Sequence, residues 1–210
     1  MKHRAEREAL VRAGAHLAAR GLAPGTSGNL SVRLTDGWLL TPTNVALGSL
    51  QEKHLCVLDA EGAHVDGDPP TKEAPFHRAL YRARANCGAV VHLHSTYAVA
   101  YSCLADLKPT DAMPPITPYT VMRLGRVGVV EYVRPGDERL ASLVGEAARE
   151  HHAILLANHG SVVAAPSLDA ALAVAEELEE SAKLYFILRG EHTRLLSAAQ
   201  VRELEEAFPT

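Results

Sequence analysis

The chain has 210 residues, 47% of them hydrophobic and 22% charged, with a formal net charge of -4 and a pI near 6.3. Those values exclude a disordered chain and suffice for one domain, residues 1–210, around a single core. A slightly acidic chain gives no electrostatic reason to expect nucleic acid. No apolar run approaches the roughly 18 residues of a membrane span. The opening stretch, MKHRAEREAL, lacks the apolar segment of a secretory signal. Cys56, Cys87 and Cys103 show no CxxC spacing and read as small buried apolar residues, so a reducing cytoplasm is the expected location.

In chain order, residues 2–20 read as an amphipathic helix with Leu10, Ala13, Gly14, Leu17 and Ala18 on one stripe and Gly21 as its C-terminal cap. A loop of small polar residues follows at 24–29. Residues 30–34 alternate as a strand, Asp36-Gly37 signals a hairpin, and 38–40 form the return strand. A turn at 41–44 and a short strand at 55–58 come next. Pro69-Pro70 breaks the chain, and Thr71 can cap a helix to about residue 85 whose buried face is Phe76, Ala79, Leu80 and Ala83. Residues 89–94 form a strand, and Ser95 or Thr96 caps a helix to about residue 104. After a proline-rich loop at 109–118 come a strand at 127–133 and a helix at 137–150. Strands at 153–157 and 162–165 flank Asn158-His159-Gly160. Ser167 caps a long helix to about residue 189, and Ser197 with Gln200 forms a capping box for the last one. Tight turns between strands favour a mixed or antiparallel sheet covered by helices over a doubly wound parallel one.

Among the chain's 11 histidines, His92 and His94 stand two apart in a strand, so their imidazoles share a face, as two metal ligands must. Two sheet histidines without a metal look the same. His159 lies where a buried apolar strand meets a turn, a place that suits either a structural histidine or a third ligand. Three histidines would leave a catalytic zinc an open position. Glu73, in the first turn of the expected helix, could simply favour the helix N-terminus, or could ligate a metal or carry a proton. Thr26-Ser27-Gly28-Asn29 and Thr41-Pro42-Thr43-Asn44 offer hydroxyls, amides and backbone N–H groups to an anion, and Thr71-Lys72 adds a cation and a helix N-terminus. Neither a Walker nor a dinucleotide glycine pattern is present, and HExxH is missing.

Taken together and in order, Gly25-Thr26-Ser27-Gly28-Asn29-Leu30-Ser31, Thr41-Pro42-Thr43, Lys72-Glu73, His92-Leu93-His94 and Ala157-Asn158-His159-Gly160 resemble the class II aldolase family, which includes fuculose-phosphate aldolase and ribulose-5-phosphate 4-epimerase. Within that family, Pro118-Tyr119-Thr120-Val121-Met122-Arg123, Tyr132-Val133-Arg134-Pro135-Gly136-Asp137 and residues 176–183 look like the 3-oxo-tetronate 4-phosphate decarboxylases. The resemblance implies a three-layer α/β/α fold with a central, mostly antiparallel sheet, and a homotetramer with active sites between subunits. It implies one divalent metal per subunit, zinc before manganese or cobalt, on His92, His94 and His159. Glu73 would be the acid/base and a ligand when substrate is absent. Ser27, Gly28, Asn29, Thr43, Asn44, Thr71 and Lys72 match phosphate-binding segments, and Tyr119 the substrate end. Asn44 stands where relatives usually carry glycine, and it tolerates positive φ better than most residues. The substrate implied is a small phosphorylated sugar acid, decarboxylated through an enediolate. The same metal site would serve a sugar-phosphate aldolase or 4-epimerase. An adducin-like scaffold would share the fold without the site.

Overall fold

The computed structural model describes residues 2–209. Its frame is one eight-stranded sheet built from β1 (Asn29–Leu34), β2 (Gly37–Leu40), β3 (Cys56–Asp59), β4 (His64–Asp66), β5 (Ala89–Leu93), β6 (Gly128–Val130), β7 (Ala153–Leu156) and β8 (Gly160–Ala165), in the order β4-β3-β2-β1-β5-β8-β7-β6. Every neighbouring pair is antiparallel except β6 with β7. The tight turns in the sequence dictate this, since antiparallel neighbours need only a few residues to connect.

Helices cover both faces, giving the three layers. On one side α1 (Arg4–Ala19), α3 (Thr96–Ser102) and α5 (Leu168–Ile187) pack Leu10, Leu17, Tyr101 and Leu178 against Leu30, Val91, Leu155 and Val163. On the other, α2 (Ala74–Ala83) and α4 (Glu138–Ala147) pack Phe76, Leu80, Leu140 and Val144 against Leu40, Val90, Ile154 and Val162. Strand residues alternate between these clusters, as the pleat requires. In β5 the odd positions Ala89, Val91 and Leu93 face α1, α3 and α5, so His92 faces α2. In β1 the same parity sends Asn29, Ser31 and Arg33 toward α2.

Several expectations need correction. The helix expected from Thr71 begins at Ala74, with Pro75 in its first turn, so Lys72 and Glu73 form a separate turn ahead of it. Proline lacks the N–H that only the first turn of a helix can spare, which places the start there. The Thr71 hydroxyl accepts from the Glu73 N–H at 3.3 Å, and the Ala74 N–H donates to the Thr71 carbonyl at 3.1 Å. The buried face of α2 is Phe76, His77, Leu80 and Tyr81, while Ala79 and Ala83 are half-buried. Strand β6 stops at Val130 because its neighbour β7 ends at Leu156 and turns away, leaving residues 131–133 without a ladder partner. Strand β4 was unexpected: all three of its residues are exposed, so it has no apolar alternation to read. A wide π-type turn at Thr120–Leu124 was missed too. Cys56 and Cys87 are buried as expected, but Cys103 is exposed, because it follows α3 on the side away from Ala98 and Tyr101.

The N-terminus of α3 is held by neither Ser95 nor Thr96. Glu179, buried on α5, accepts from the Tyr97 N–H at 3.0 Å and the Ala98 N–H at 2.8 Å. A carboxylate here satisfies two orphan donors and complements the helix dipole. It also fixes the chain just beyond His94. The capping box at Ser197–Gln200 forms as read, opening α6 (Ala198–Ala207). Among the described residues, no helix is long and apolar enough to cross a membrane. Glu179→Ala is expected to cost about 2 kcal/mol in urea denaturation, the loss of two charge-assisted hydrogen bonds at a buried helix end. A loss below about 0.5 kcal/mol would show that water replaces the cap.

Candidate metal centre

Four side chains from three parts of the fold converge between the sheet and α2. His92 comes from β5, His94 lies one residue past its end, His159 sits in the β7–β8 turn, and Glu73 stands in the turn just before α2. One ligand atom from each lies within 4.8 Å of all the others. The turn at His159 is possible because Asn158 adopts a left-handed conformation (φ 56°), which asparagine tolerates. Gly160 lets the turn close: a Cβ there would lie 2.3 Å from the Leu93 carbonyl oxygen.

The local geometry could hold a cation. His92 Nε2 lies 2.9 Å from His94 Nε2 and 3.2 Å from Glu73 Oε2, and His159 Nε2 lies 3.2 Å from Glu73 Oε1. The three rings meet at steep angles, with centroids 4.8–5.0 Å apart. His92 Nδ1 donates to the Ser161 carbonyl at 2.8 Å, which directs Nε2 into the cluster. Such outer hydrogen bonds orient metal-ligating histidines. His92 is fully buried and His159 nearly so. Burial drives the Glu73 carboxyl toward its neutral form. The charge of His92 and hydrogen bonds from His159, His92 and Asn29 outweigh that, holding it far below the usual carboxylate range. Burial, with His92 and His159 nearby, pushes His94 down to about 4. Three imidazoles aimed at a carboxylate are a donor set that fits a divalent cation of zinc's class and leaves room for substrate.

The other residues singled out in the sequence are distributed around this cluster. Asn29 is paired with His92 across β1 and β5, and its Nδ2 donates to Glu73 Oε2 at 2.7 Å. Gly28 (φ 78°) brings its backbone against β5, where a Cβ would lie 2.9 Å from the His92 carbonyl oxygen. The Ser27 hydroxyl is engaged with the Pro24 carbonyl at 2.6 Å. The segments holding Thr43 and Thr71 are tied together by a bridge between Pro42 and Pro70 and by Thr43 N–H to the Pro69 carbonyl at 3.1 Å. Asn44 takes the left-handed conformation (φ 59°) expected of it. Lys72 is exposed and lines a small cleft with Glu73, Phe76, Gly136 and Asp137. Tyr119 is not brought to the cluster; it stands 57% exposed at the head of the π-type turn.

Sequence reasoning missed three residues behind the cluster. The wholly buried His77 bonds Asn29 Oδ1 through Nε2 at 2.6 Å and the Ser31 hydroxyl through Nδ1 at 2.7 Å, and Ser31 bonds the Tyr81 hydroxyl at 2.8 Å. Spacing could have found them, because Glu73, His77 and Tyr81 recur every four residues from the turn before α2 into the helix, while Asn29 and Ser31 alternate along β1.

A family model described as the class II aldolase and adducin N-terminal domain matches residues 8–186. The chain belongs to that family. Within the class II aldolase family it is 48% identical over 202 residues to a protein of Haemophilus influenzae named 3-oxo-tetronate 4-phosphate decarboxylase, covering 96% of each chain. It is 35% identical to the L-fuculose phosphate aldolase of the same organism, covering 90% of this chain and 87% of that one. The crystal structure of YgbL from Klebsiella pneumoniae is similar with a TM-score of 0.94 and 47% identity, covering 97% of this chain and 99% of that one. The three-layer class II aldolase fold is therefore shared, and the relatives named here, a decarboxylase and an aldolase, are lyases.

Burial pushes His77 down to about 3, so it stays neutral in the folded chain. An unfolded histidine titrates near 6.5, so below that pH the unfolded state binds a proton that the folded state refuses. Stability should therefore fall as the pH drops. Metal-free protein is expected to lose about 2 kcal/mol from this residue between about pH 8 and pH 5, at roughly 1.4 kcal/mol per unit below 6.5. Denaturation of wild type and His77→Gln in parallel isolates that difference; parallel curves would contradict it.

Proposed function

We propose that this protein is a metal-dependent carboxy-lyase that converts 3-oxo-tetronate 4-phosphate to dihydroxyacetone phosphate and CO2, with zinc as its metal. The observation carrying this reading is the near-full-length similarity, at 48%, to a decarboxylase of that name, against 35% to an L-fuculose phosphate aldolase. The donor set agrees with it: His92, His94 and His159 would hold the cation, and Glu73 lies within its reach.

The difficult moment of the reaction is loss of CO2 from C1, when the bond's electron pair remains on C2 and spreads into the C3 carbonyl. A cation held by His92, His94 and His159 would supply Lewis acidity against the negative charge that develops there. Glu73, a carboxylate in the resting site, would take a proton from solvent and pass it to C2, completing dihydroxyacetone phosphate. Asn29 holds the resulting carboxylate through its Nδ2–H. Lys72, exposed beside Glu73, and the backbone turns at Ser27-Gly28, Thr43-Asn44 and Thr71 would hold the phosphate dianion, as flexible ammonium groups and clustered N–H donors do.

The cleft is shallow within one chain, and Tyr119 and Tyr132 stand 57% exposed outside it. A homotetramer in which Tyr119 completes the substrate end of a neighbouring site would account for both, in a reducing cytoplasm.

Zinc-loaded protein given 3-oxo-tetronate 4-phosphate should release CO2 and dihydroxyacetone phosphate in equal amounts, and a chelator should stop both. Absence of CO2, with aldehyde released from a sugar phosphate instead, would replace this reading with aldol cleavage. Glu73→Gln is expected to lower kcat at least about 1,000-fold while zinc stays bound through the histidines; near-normal turnover would remove Glu73 from the chemistry. His94→Ala should weaken zinc by more than the roughly 10- to 100-fold that loss of an outer partner costs, and retention of one equivalent through dialysis would refute its role as a ligand.

A further inference from the structure

The site reads differently from behind. Asn29 presents its amide edge to two partners of opposite demand. Glu73 Oε2 can only accept, so Asn29 must offer it Nδ2–H. That leaves Oδ1 facing His77 Nε2 at 2.6 Å, and an amide oxygen obliges Nε2 to carry the proton. A neutral His77 then has a bare Nδ1, which must accept from the Ser31 hydroxyl at 2.7 Å. Ser31, having spent its one hydrogen, accepts from the Tyr81 hydroxyl at 2.8 Å. Every group in the chain therefore donates in one sense, toward Glu73.

We propose that Tyr81, Ser31 and His77 form a one-way hydrogen-bond relay that sets the amide of Asn29 and so positions the Glu73 carboxylate. The idea rests on Glu73 as the acid/base group.

The relay follows from the meeting of two periods. Four residues of helix advance about 6 Å and two residues of strand about 6.8 Å. Glu73, just before α2, and His77 and Tyr81 on it thus stay in step with Asn29, Ser31 and Arg33 on β1, and Arg33 closes the row with its guanidinium 5.0 Å from the Tyr81 ring centre. His77, Ser31 and Tyr81 are all buried, so water cannot randomise the sense of donation. Burial also pushes His77 down to about 3, which removes the doubly protonated ring that would break the relay at Nδ1. Were Asn29 to turn over, its oxygen would face the carboxylate and its NH2 would face an N–H. Two repulsive contacts would replace two hydrogen bonds. A bare Asn29–Glu73 contact would hold the carboxylate; the relay makes that contact the sole arrangement available to the amide.

None of these three residues reaches the substrate, so they are positioning residues, and their removal should change rate without emptying the site. The test joins nitrogen NMR of 15N-histidine protein with kinetics of conservative variants. Wild-type His77 should show one tautomer, protonated at Nε2. Ser31→Ala should give mixed tautomers and lower kcat about tenfold, with KM changed less than about threefold and one zinc per chain retained. Tyr81→Phe, which keeps the ring, should show a smaller effect of the same kind. His77→Gln, whose amide N–H can still donate to Asn29, should keep kcat within about threefold of wild type, whereas His77→Leu should not. A wild-type His77 protonated at Nδ1 would overturn the proposal. So would wild-type kcat in both Ser31→Ala and His77→Leu, or a loss tracked by equal loss of zinc. The tautomer is read without substrate, so a wild type that shows the Nε2–H form but does not decarboxylate would overturn the proposed reaction and leave the relay standing.

Discussion

Three imidazoles and a carboxylate, with ligand atoms within 4.8 Å of one another, form a cluster of polar groups that the fold must hold together against the cost of their burial. Burial raises the cost of every charge there, and each ring needs a defined tautomer for its nitrogen to face inward. Much of the fold answers to that demand. The β1–β5 register sets Asn29 opposite His92. The β5–β8 register sets the Ser161 carbonyl behind His92, and the tight turn before β8 lifts His159 to the same point. On the other side of the sheet, Glu179 pins the chain that leaves His94. Moving β5 by one residue would turn His92 to the opposite face and end the site.

The carboxylate is held differently from the histidines. Glu73 belongs to a turn that precedes α2, and Pro75 decides where that helix can begin. Its backbone is fixed by Thr71 and its side chain by Asn29, so it sits at the open side of the cluster next to exposed Lys72. This division suits catalysis. On the proposed reading, the histidines that would hold the cation are fixed by the sheet and its connections, while Glu73, which would exchange a proton, stands on a short turn facing the cleft. The same division explains how one family hosts both bond cleavage to CO2 and bond cleavage to an aldehyde. On the proposed reading, the electron-accepting part of the site would be common to both, and discrimination would fall to residues around the leaving fragment.

What the sequence made legible followed rules of short range. The pleat put His92 and His94 together, and the buried apolar run before His159 put it at a strand end. Hairpin and capping signals found most elements, including the capping box at Ser197. The errors are equally physical. Thr71 looked like a helix cap because threonine before a polar turn usually is one, yet Pro75 sets the start three residues later. Reading α2 for apolar residues alone selected Ala79 and Ala83 and passed over His77 and Tyr81, which are buried because β1 supplies polar partners. That pairing spans 46 to 50 residues of sequence, so each element's spacing can be read locally but their meeting cannot. Strand β4 lies exposed at the sheet edge, where no apolar face is needed, and so left no signal.

The central claim is that His92, His94 and His159 close on one metal ion. Crystals grown with zinc, measured on both sides of its absorption edge, test it most directly. The account predicts one strong anomalous peak per chain, within about 2.0–2.1 Å of Nε2 of each histidine and on the Glu73 side of the rings. A zinc peak elsewhere, or a fully ordered cluster without one in zinc-saturated crystals, would contradict it.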